Sequence, residues 1–226
     1  MLRLLLACSL TLALTAPGQA PVLTAAEKTD GWKLMCNGTS LEGWRGYKTE
    51  TPPTGWGVKS GELTREGAGG DLMTVEQYGD FEMRFEWKVT ANGNSGVIYR
   101  IATTEQYPWQ TGPEYQVLHN AGHADGKNPI TSAGSNYAVN PPVKDVTRPV
   151  GDWNEARLVA RGTHVEHWLN GIKVVEYEIG SADWEARVKA SKFAKLANYG
   201  RITRGHIALQ DHGDVVSYRN LKIRPL

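Results

Sequence analysis

Residues 81–89 alternate without interruption: Phe81, Met83, Phe85, Trp87 and Val89 are apolar, and Glu82, Arg84, Glu86 and Lys88 between them are charged. A period of two is the signature of a β-strand with one buried face and one wet face. The same pattern fits residues 96–101, 115–119, 156–161, 164–170, 173–179, 206–210 and 215–223. Turn signals separate these runs: Asn92-Gly93, Gly112-Pro113, Asn170-Gly171 and Gly213-Asp214. Asn170-Gly171, set between two alternating runs, predicts a tight hairpin. Many antiparallel strands with short turns predict an all-β jelly-roll sandwich of two antiparallel sheets. One segment departs from this rhythm. Ser181 is a helix cap followed by Trp184, Val188 and Leu196 near helical spacing, which predicts one short surface helix over 182–197.

The chain opens Met1-Leu2-Arg3, runs apolar through residues 4–16, and reaches Pro17-Gly18-Gln19-Ala20. This order reads as a secretory signal peptide, and the apolar run is too short to span a bilayer. Cleavage after Ala26 is preferred over cleavage after Ala20, which would leave a proline at the new N-terminus. The expected organisation is a leader over 1–26 and one domain over 27–226, located in the periplasm or outside the cell. Cys8 lies too early for a lipid anchor and reads as part of the leader. Cys36 is then single and reads as a small buried hydrophobe before a turn.

Lys plus Arg total 25 against 24 Asp plus Glu, and this interspersed balance excludes a nucleic-acid-binding tail. Eight Trp and nine Tyr against three Phe is the notable skew. Such rings suit sugar-binding surfaces as well as cores.

Three strands carry polar residues of unusual type on one face. Period two groups Asn94, Gly96, Ile98 and Arg100, then Glu114 with Gln116, then Gln210 with His212. Amides, Arg and His in place of the usual Lys, Glu and Thr favour a ligand groove over a merely solvated face. After Gln116 come His119, His123 and Asp125, a possible divalent-cation set, although Asn120, Gly122 and Gly126 argue against a helix there. The carboxylate pairs Glu82/Glu86 and Glu176/Glu178 share strand faces but read as solvent-facing. Glu114 is then the one carboxylate in the expected groove.

Asn94-Ser95-Gly96 with Arg100, Pro113-Glu114-Tyr115-Gln116, Gly151-Asp152-Trp153-Asn154, Leu169-Asn170-Gly171, residues 207–213 and Tyr218-Arg219-Asn220 occur in that order, after Trp32 and Trp44. Together they resemble the 3-keto-disaccharide hydrolase domain family over about residues 30–226. The resemblance implies a concanavalin-like jelly roll, export, and action on glycosides already oxidised at sugar carbon 3. The family commonly has an Asp where this chain has His119, so a role needing that carboxylate does not carry over.

For such a substrate the ketone acidifies the proton on carbon 2, and the glycosidic oxygen lies β to the resulting carbanion. Elimination followed by hydration needs a base, donors for the enolate oxygen and an acid for the leaving group. The expected catalytic residues are Glu114 or His123 as base and His212 or Tyr137 as acid. Asn94, Arg100, Gln116 and Gln210 are expected to bind substrate, with Trp109 as a stacking platform. A divalent cation at His119, His123 and Asp125 is the candidate cofactor. The functional partner is expected to be a sugar 3-dehydrogenase. The competing readings are a non-catalytic carbohydrate-binding module and a laminarinase-like glycoside hydrolase.

Overall fold

A computed structural model describes residues 20–226. Its strands in chain order are β1 (Lys33–Leu34), β2 (Trp44–Gly46), β3 (Trp56–Lys59), β4 (Glu62–Arg65), β5 (Leu72–Thr74), β6 (Phe81–Val89) and β7 (Asn94–Ile101). They continue as β8 (Glu114–Leu118), β9 (Asn154–Arg161), β10 (His164–Leu169), β11 (Ile172–Glu178), β12 (His206–Leu209) and β13 (Val216–Pro225). The larger sheet has the order β11-β10-β9-β6-β13-β4-β3, with β1 added on β13; the smaller is β2-β5-β12-β7-β8. Every pairing is antiparallel. This is the expected two-sheet jelly roll.

The alternation over residues 81–89 resolves as expected on its apolar side. Phe81, Met83, Phe85 and Trp87 of β6 enter the core and meet Val97 and Tyr99 of β7 and Tyr115 and Val117 of β8. Phe85 and Tyr115 make an edge-to-face pair at 5.5 Å. On the other face of the same strand Glu82 is not the solvated carboxylate its neighbours in sequence imply. It is 1% exposed, covered by Arg84, Arg157 and Arg224. Burial alone would raise its pKa, but hydrogen bonds from Arg157 and Arg224 outweigh it and hold the carboxyl down to about 2. The Asn170-Gly171 pair closes β10 on β11 with Leu169 opposite Ile172, and both turn residues have positive φ, as the tight hairpin requires.

The helix after Ser181 is α2 (Ala182–Ala190), shorter than the sequence pattern predicts. Ser191 ends it: its hydroxyl donates to Val188 O at 2.8 Å and accepts from Phe193 N at 3.1 Å. Phe193 then turns inward and stacks on Tyr199 at 4.1 Å. Most of the expected leader lies outside the described residues. Within them, Pro21 lies against Gly38, where no side chain would fit, and Thr24 caps a first helix, α1 (Ala25–Thr29). Cleavage after Ala26 would cut α1 inside its first turn. Cys36 is buried and unbridged, as expected.

Candidate active site

The smaller sheet has a second face, pointing away from the core. Along β7 the residues Ser95, Val97 and Tyr99 serve the interior, while Ile98 belongs to a separate apolar cluster with Met73, Ile101 and Ala208. Tyr47 and Trp109 cover that cluster. Asn94 and Gly96 of β7 and Glu114 and Gln116 of β8 continue the same face, in a register that sets Gly96 opposite Gln116 and Ile98 opposite Glu114.

Gly96 shapes the centre of this surface. A Cβ there would fall 2.1 Å from Glu114 Oε1, so only glycine leaves room for the carboxyl to lie across β7. On its other side β8 is flanked by the segment 134–137, where Gln116 N donates to Ser135 O at 3.1 Å and Tyr137 N to Glu114 O at 3.0 Å. Glu114 is therefore 4% exposed. Burial pushes its carboxyl up to about 8; the Lys192 ammonium pulls it back in part, and Asp71 and Asp125 add to the rise.

An amide chain links this carboxyl to His123. Oriented to satisfy its neighbours, the Gln116 amide nitrogen donates to Glu114 Oε1 and to Ser95 O, each at 3.0 Å. The Asn94 amide lies 3.3 Å from that of Gln116 and 3.4 Å from His123 Nε2. His123 Nδ1 accepts from Asp125 N at 3.1 Å, so a neutral ring carries its proton on Nε2 and donates toward Asn94. His212 meets His123 edge to face at 5.9 Å, and its Nδ1 lies 3.9 Å from Asp214 Oδ2. Tyr137 donates to Asp125 Oδ2 at 3.0 Å, and burial first, then the charge of Asp125, raises its phenol. Gln210 follows β12 beside Gly96, to whose carbonyl its backbone N–H donates at 2.9 Å; its side-chain amide has no hydrogen bond among the described residues.

Eight of the expected residues thus gather here: Glu114, Gln116, Asn94, His123, His212, Tyr137, Gln210 and Trp109. Trp109 stands at the end of the face, stacked on Tyr107 at 5.7 Å. Arg100 does not join them. Tyr99 pairs with Ile207 and Ile101 with His206, so Arg100, with φ +52°, is the extra residue of a β-bulge. The bulge breaks the alternation and sends its guanidinium to Gly79 O, Gly162 O and Asp80.

The expected cation set is not assembled either. His119 Nδ1 accepts from Asn92 N, His123 Nδ1 from Asp125 N, and the Asp125 carboxylate from Tyr137. Their ligand atoms do not converge; among the described residues only His164, Glu166 and Glu176 bring three such atoms together. That trio lies on β10 and β11, with Lys173 Nζ already 2.7 Å from Glu176 and 3.3 Å from Glu166. A cleft of about 310 Å³ opens elsewhere, between Leu118, His119, Asp145, Arg148 and Asp152, and none of the paired carboxyls lines it.

The structure adds two residues that periodicity does not reveal. Asp71, just before β5, accepts from Asp211 N at 2.7 Å; burial pushes its carboxyl up to about 6 against that hydrogen bond, with the charge of Asp211 adding to the rise. Lys192, just beyond α2, places its ammonium 4.3 Å from the Tyr137 ring centre. Asp71 lies in irregular chain, and Lys192 falls within the expected helix but beyond its actual end, where it reads only as a surface lysine.

A face bearing one buried carboxyl, several amides and paired imidazoles can be set beside known proteins. The model of a family described as 3-keto-alpha-glucoside-1,2-lyase-like matches residues 31–224. The chain belongs to the 3-keto-disaccharide hydrolase family. Membership makes it an enzyme of the hydrolase class. A 3-keto-disaccharide hydrolase from Bacteroides thetaiotaomicron is 32% identical over 229 residues, covering 87% of this chain and 79% of the relative. The crystal structure of a candidate glycosyl hydrolase from Parabacteroides distasonis superposes with a TM-score of 0.86 at 34% identity, covering 92% of this chain and 100% of that one. A carbohydrate-binding module from Bacillus subtilis, at 11% identity and a TM-score of 0.50, covering 80% of this chain and 94% of that one, shares the fold alone.

Proposed function

We propose that this member of the 3-keto-disaccharide hydrolase family cleaves 3-keto-glycosides by removing the proton from sugar carbon 2, eliminating the group on carbon 1 and adding water. The observation that carries this reading is Glu114, a buried carboxyl laid over Gly96 and raised toward neutral pH. A base that must take a carbon-bound proton works best when its basicity approaches the working pH. His123 is a poorer base, because its Nδ1 lone pair already accepts from a backbone amide.

In the proposed sequence Glu114 takes the proton from carbon 2, and the bond electrons move onto the ketone oxygen at carbon 3. When the ketone re-forms, a double bond closes between carbons 1 and 2 and the glycosidic C–O bond breaks. The departing oxygen takes a proton from His212 or Tyr137. Water then adds across the double bond. Gln210, Asn94 and Gln116 hold sugar hydroxyls, and Trp109 covers one end of the ring. The family description and the relative's name differ only by that water, since elimination alone is a lyase reaction and elimination with hydration is a net hydrolysis. No step is routed through His119, His123 and Asp125 as metal ligands.

The reading includes export after removal of an N-terminal leader. It also implies an upstream oxidation that converts the hydroxyl on carbon 3 of a glycoside to a ketone, the work of a sugar dehydrogenase.

The deciding experiment offers the mature protein a 3-keto-glucoside and the matching unoxidised glucoside in heavy water. Cleavage of the keto sugar alone, with deuterium on carbon 2 of product or recovered substrate, is expected. Cleavage of the unoxidised sugar alone would overturn the proposal in favour of an ordinary glycosidase.

A further inference from the structure

Proton loss beside a ketone is driven by whatever stabilises the charge growing on the ketone oxygen, and in enzymes this electrostatic contribution is large. The cation that the strand pattern offers for this purpose is Arg100, and its guanidinium is occupied on the far side of the bulge. A second cation stands over the site. Lys192 Nζ lies 4.3 Å from the Tyr137 ring centre, 5.2 Å from that of Phe193 and 5.6 Å from that of Trp109. Three aromatic faces around one ammonium limit where it can point, while burial pulls its pKa below the ordinary lysine value and the charges of Glu114 and Asp125 pull it back in part. The backbone on both sides is pinned as well: Val188 and Phe193 are buried, and Ser191 breaks α2 so that Lys192 leaves the helix surface.

The ammonium is nevertheless unpaired. The residue is exposed overall, and its ammonium makes no hydrogen bond or ion pair with any described residue, although the charges of Glu114 and Asp125 act on it. Its three N–H donors lie within electrostatic reach of the Glu114 carboxyl and bond none of the described residues.

We propose that Lys192 is a catalytic residue whose ammonium donates to the ketone oxygen on carbon 3 as Glu114 removes the proton from carbon 2. This rests on the reaction proposed above. The step is balanced within the site. The C2–H bond breaks, its proton goes to Glu114, its electron pair forms the C2–C3 double bond of the enolate, and the former carbonyl pair rests on the oxygen facing Lys192. When the ketone re-forms, the oxygen pair returns to the C3–O bond, the C2–C3 pair shifts to C1–C2, the C1–O pair leaves with the departing oxygen, and Lys192 keeps its proton throughout. Tyr137, whose ring supports the ammonium and whose hydroxyl is tied to Asp125, positions Lys192 in the free enzyme.

The test compares wild type with Lys192→Met, Lys192→Arg and Lys192→Ala on a p-nitrophenyl 3-keto-glucoside. Lys192→Met is expected to lower kcat by about 10²–10³-fold, the loss that follows removal of one oxyanion donor, with KM little changed. Its pH–rate profile should move to higher pH, because the charge that helps Glu114 ionise is gone. Lys192→Arg should regain most of the rate, and methylammonium should rescue Lys192→Ala. Wild-type kcat in folded Lys192→Met overturns the role of Lys192 while leaving the reaction standing. Should Lys192→Met not fold, an inactive but folded Lys192→Arg together with failed amine rescue does the same. A protein mass gain after borohydride treatment with substrate overturns it in favour of a covalent iminium. Wild type inert on the keto sugar overturns the reaction itself, and the role of Lys192 with it.

Discussion

A carboxyl group laid over a bare glycine and walled in by a flanking strip of chain ionises late. Between pH 4.5 and about 8 most Glu114 side chains hold their proton, so the fraction able to act as base climbs through this range. On this reading kcat/KM for a 3-keto-glucoside rises with pH and levels above about 8. Glu114→Gln should lower turnover by about 10²–10⁴-fold, the usual contribution of a positioned base, while the protein stays folded. Steady-state rates and a thermal melt on one preparation check both halves; near-normal turnover in the folded variant would remove Glu114 from the role. At this scale the sequence was partly legible. Glu114 and Gln116 stand out because they share the face of a regular strand. Asp71 and Lys192 do not: Asp71 is brought to the site by chain that follows no period, Lys192 by a break at Ser191 inside a stretch that reads as continuous helix, and both have partners far away in sequence.

The strand that does most to build the site is β7, and its two anomalies work in opposite directions for a reader of the sequence. Gly96 sits within an unbroken pattern, and its significance emerges only when β8 is laid beside it. A Cβ at this position would lie 2.1 Å from Glu114 Oε1 and 2.7 Å from Cδ, so Gly96→Ala must push the carboxyl out of place. Turnover should fall nearly as far as in Glu114→Gln, while stability drops by only about 1–3 kcal/mol, as for other overpacked sites. Gly57→Ala on β3 is the control, since a Cβ there meets nothing within 4 Å. Equal activity in the two variants would show that the carboxyl has another resting place. Arg100 is the opposite case. Alternation places it with Asn94, Gly96 and Ile98, but one inserted residue at the pairing with β12 reverses its side. Bulges of this kind leave no mark in a hydrophobic pattern, whereas the Asn170-Gly171 hairpin, whose positive φ angles demand particular residues, was legible in full.

Across the whole sandwich, the two sheets are tied by a polar pillar as well as by packing. His167 of β10 lies fully buried with its Nε2 3.0 Å from the Tyr99 hydroxyl of β7 and its Nδ1 3.1 Å from Gly134 O, and Tyr99 also bonds Tyr177 of β11. Burial holds this imidazole down to about 4 despite its hydrogen bonds to the backbone at Gly134 and Ser135. A histidine depressed in the folded state contributes stability that is complete above its unfolded value near 6.5 and is lost as pH falls toward 4, a loss on the order of 3 kcal/mol. The raised carboxyls act in the opposite sense. Glu114, at about 8, and Asp71, at about 6, favour the folded state while protonated, so their contribution declines as pH rises from the ordinary carboxylate range toward those values. Below about pH 6.5 the two effects oppose and offset each other, so stability should fall most clearly between about pH 6.5 and 8, where Glu114 alone of these groups still titrates, while activity continues to rise toward pH 8. Urea midpoints between pH 4 and 9 measure the profile. In Glu114→Gln the alkaline decline should shrink and the acid loss from His167 should be less masked, because the pillar is untouched while the opposing carboxyl is gone. An alkaline limb identical in both proteins would mean that Glu114 is already ionised in the folded chain. The rate profile would then have to be assigned to another group of the same face.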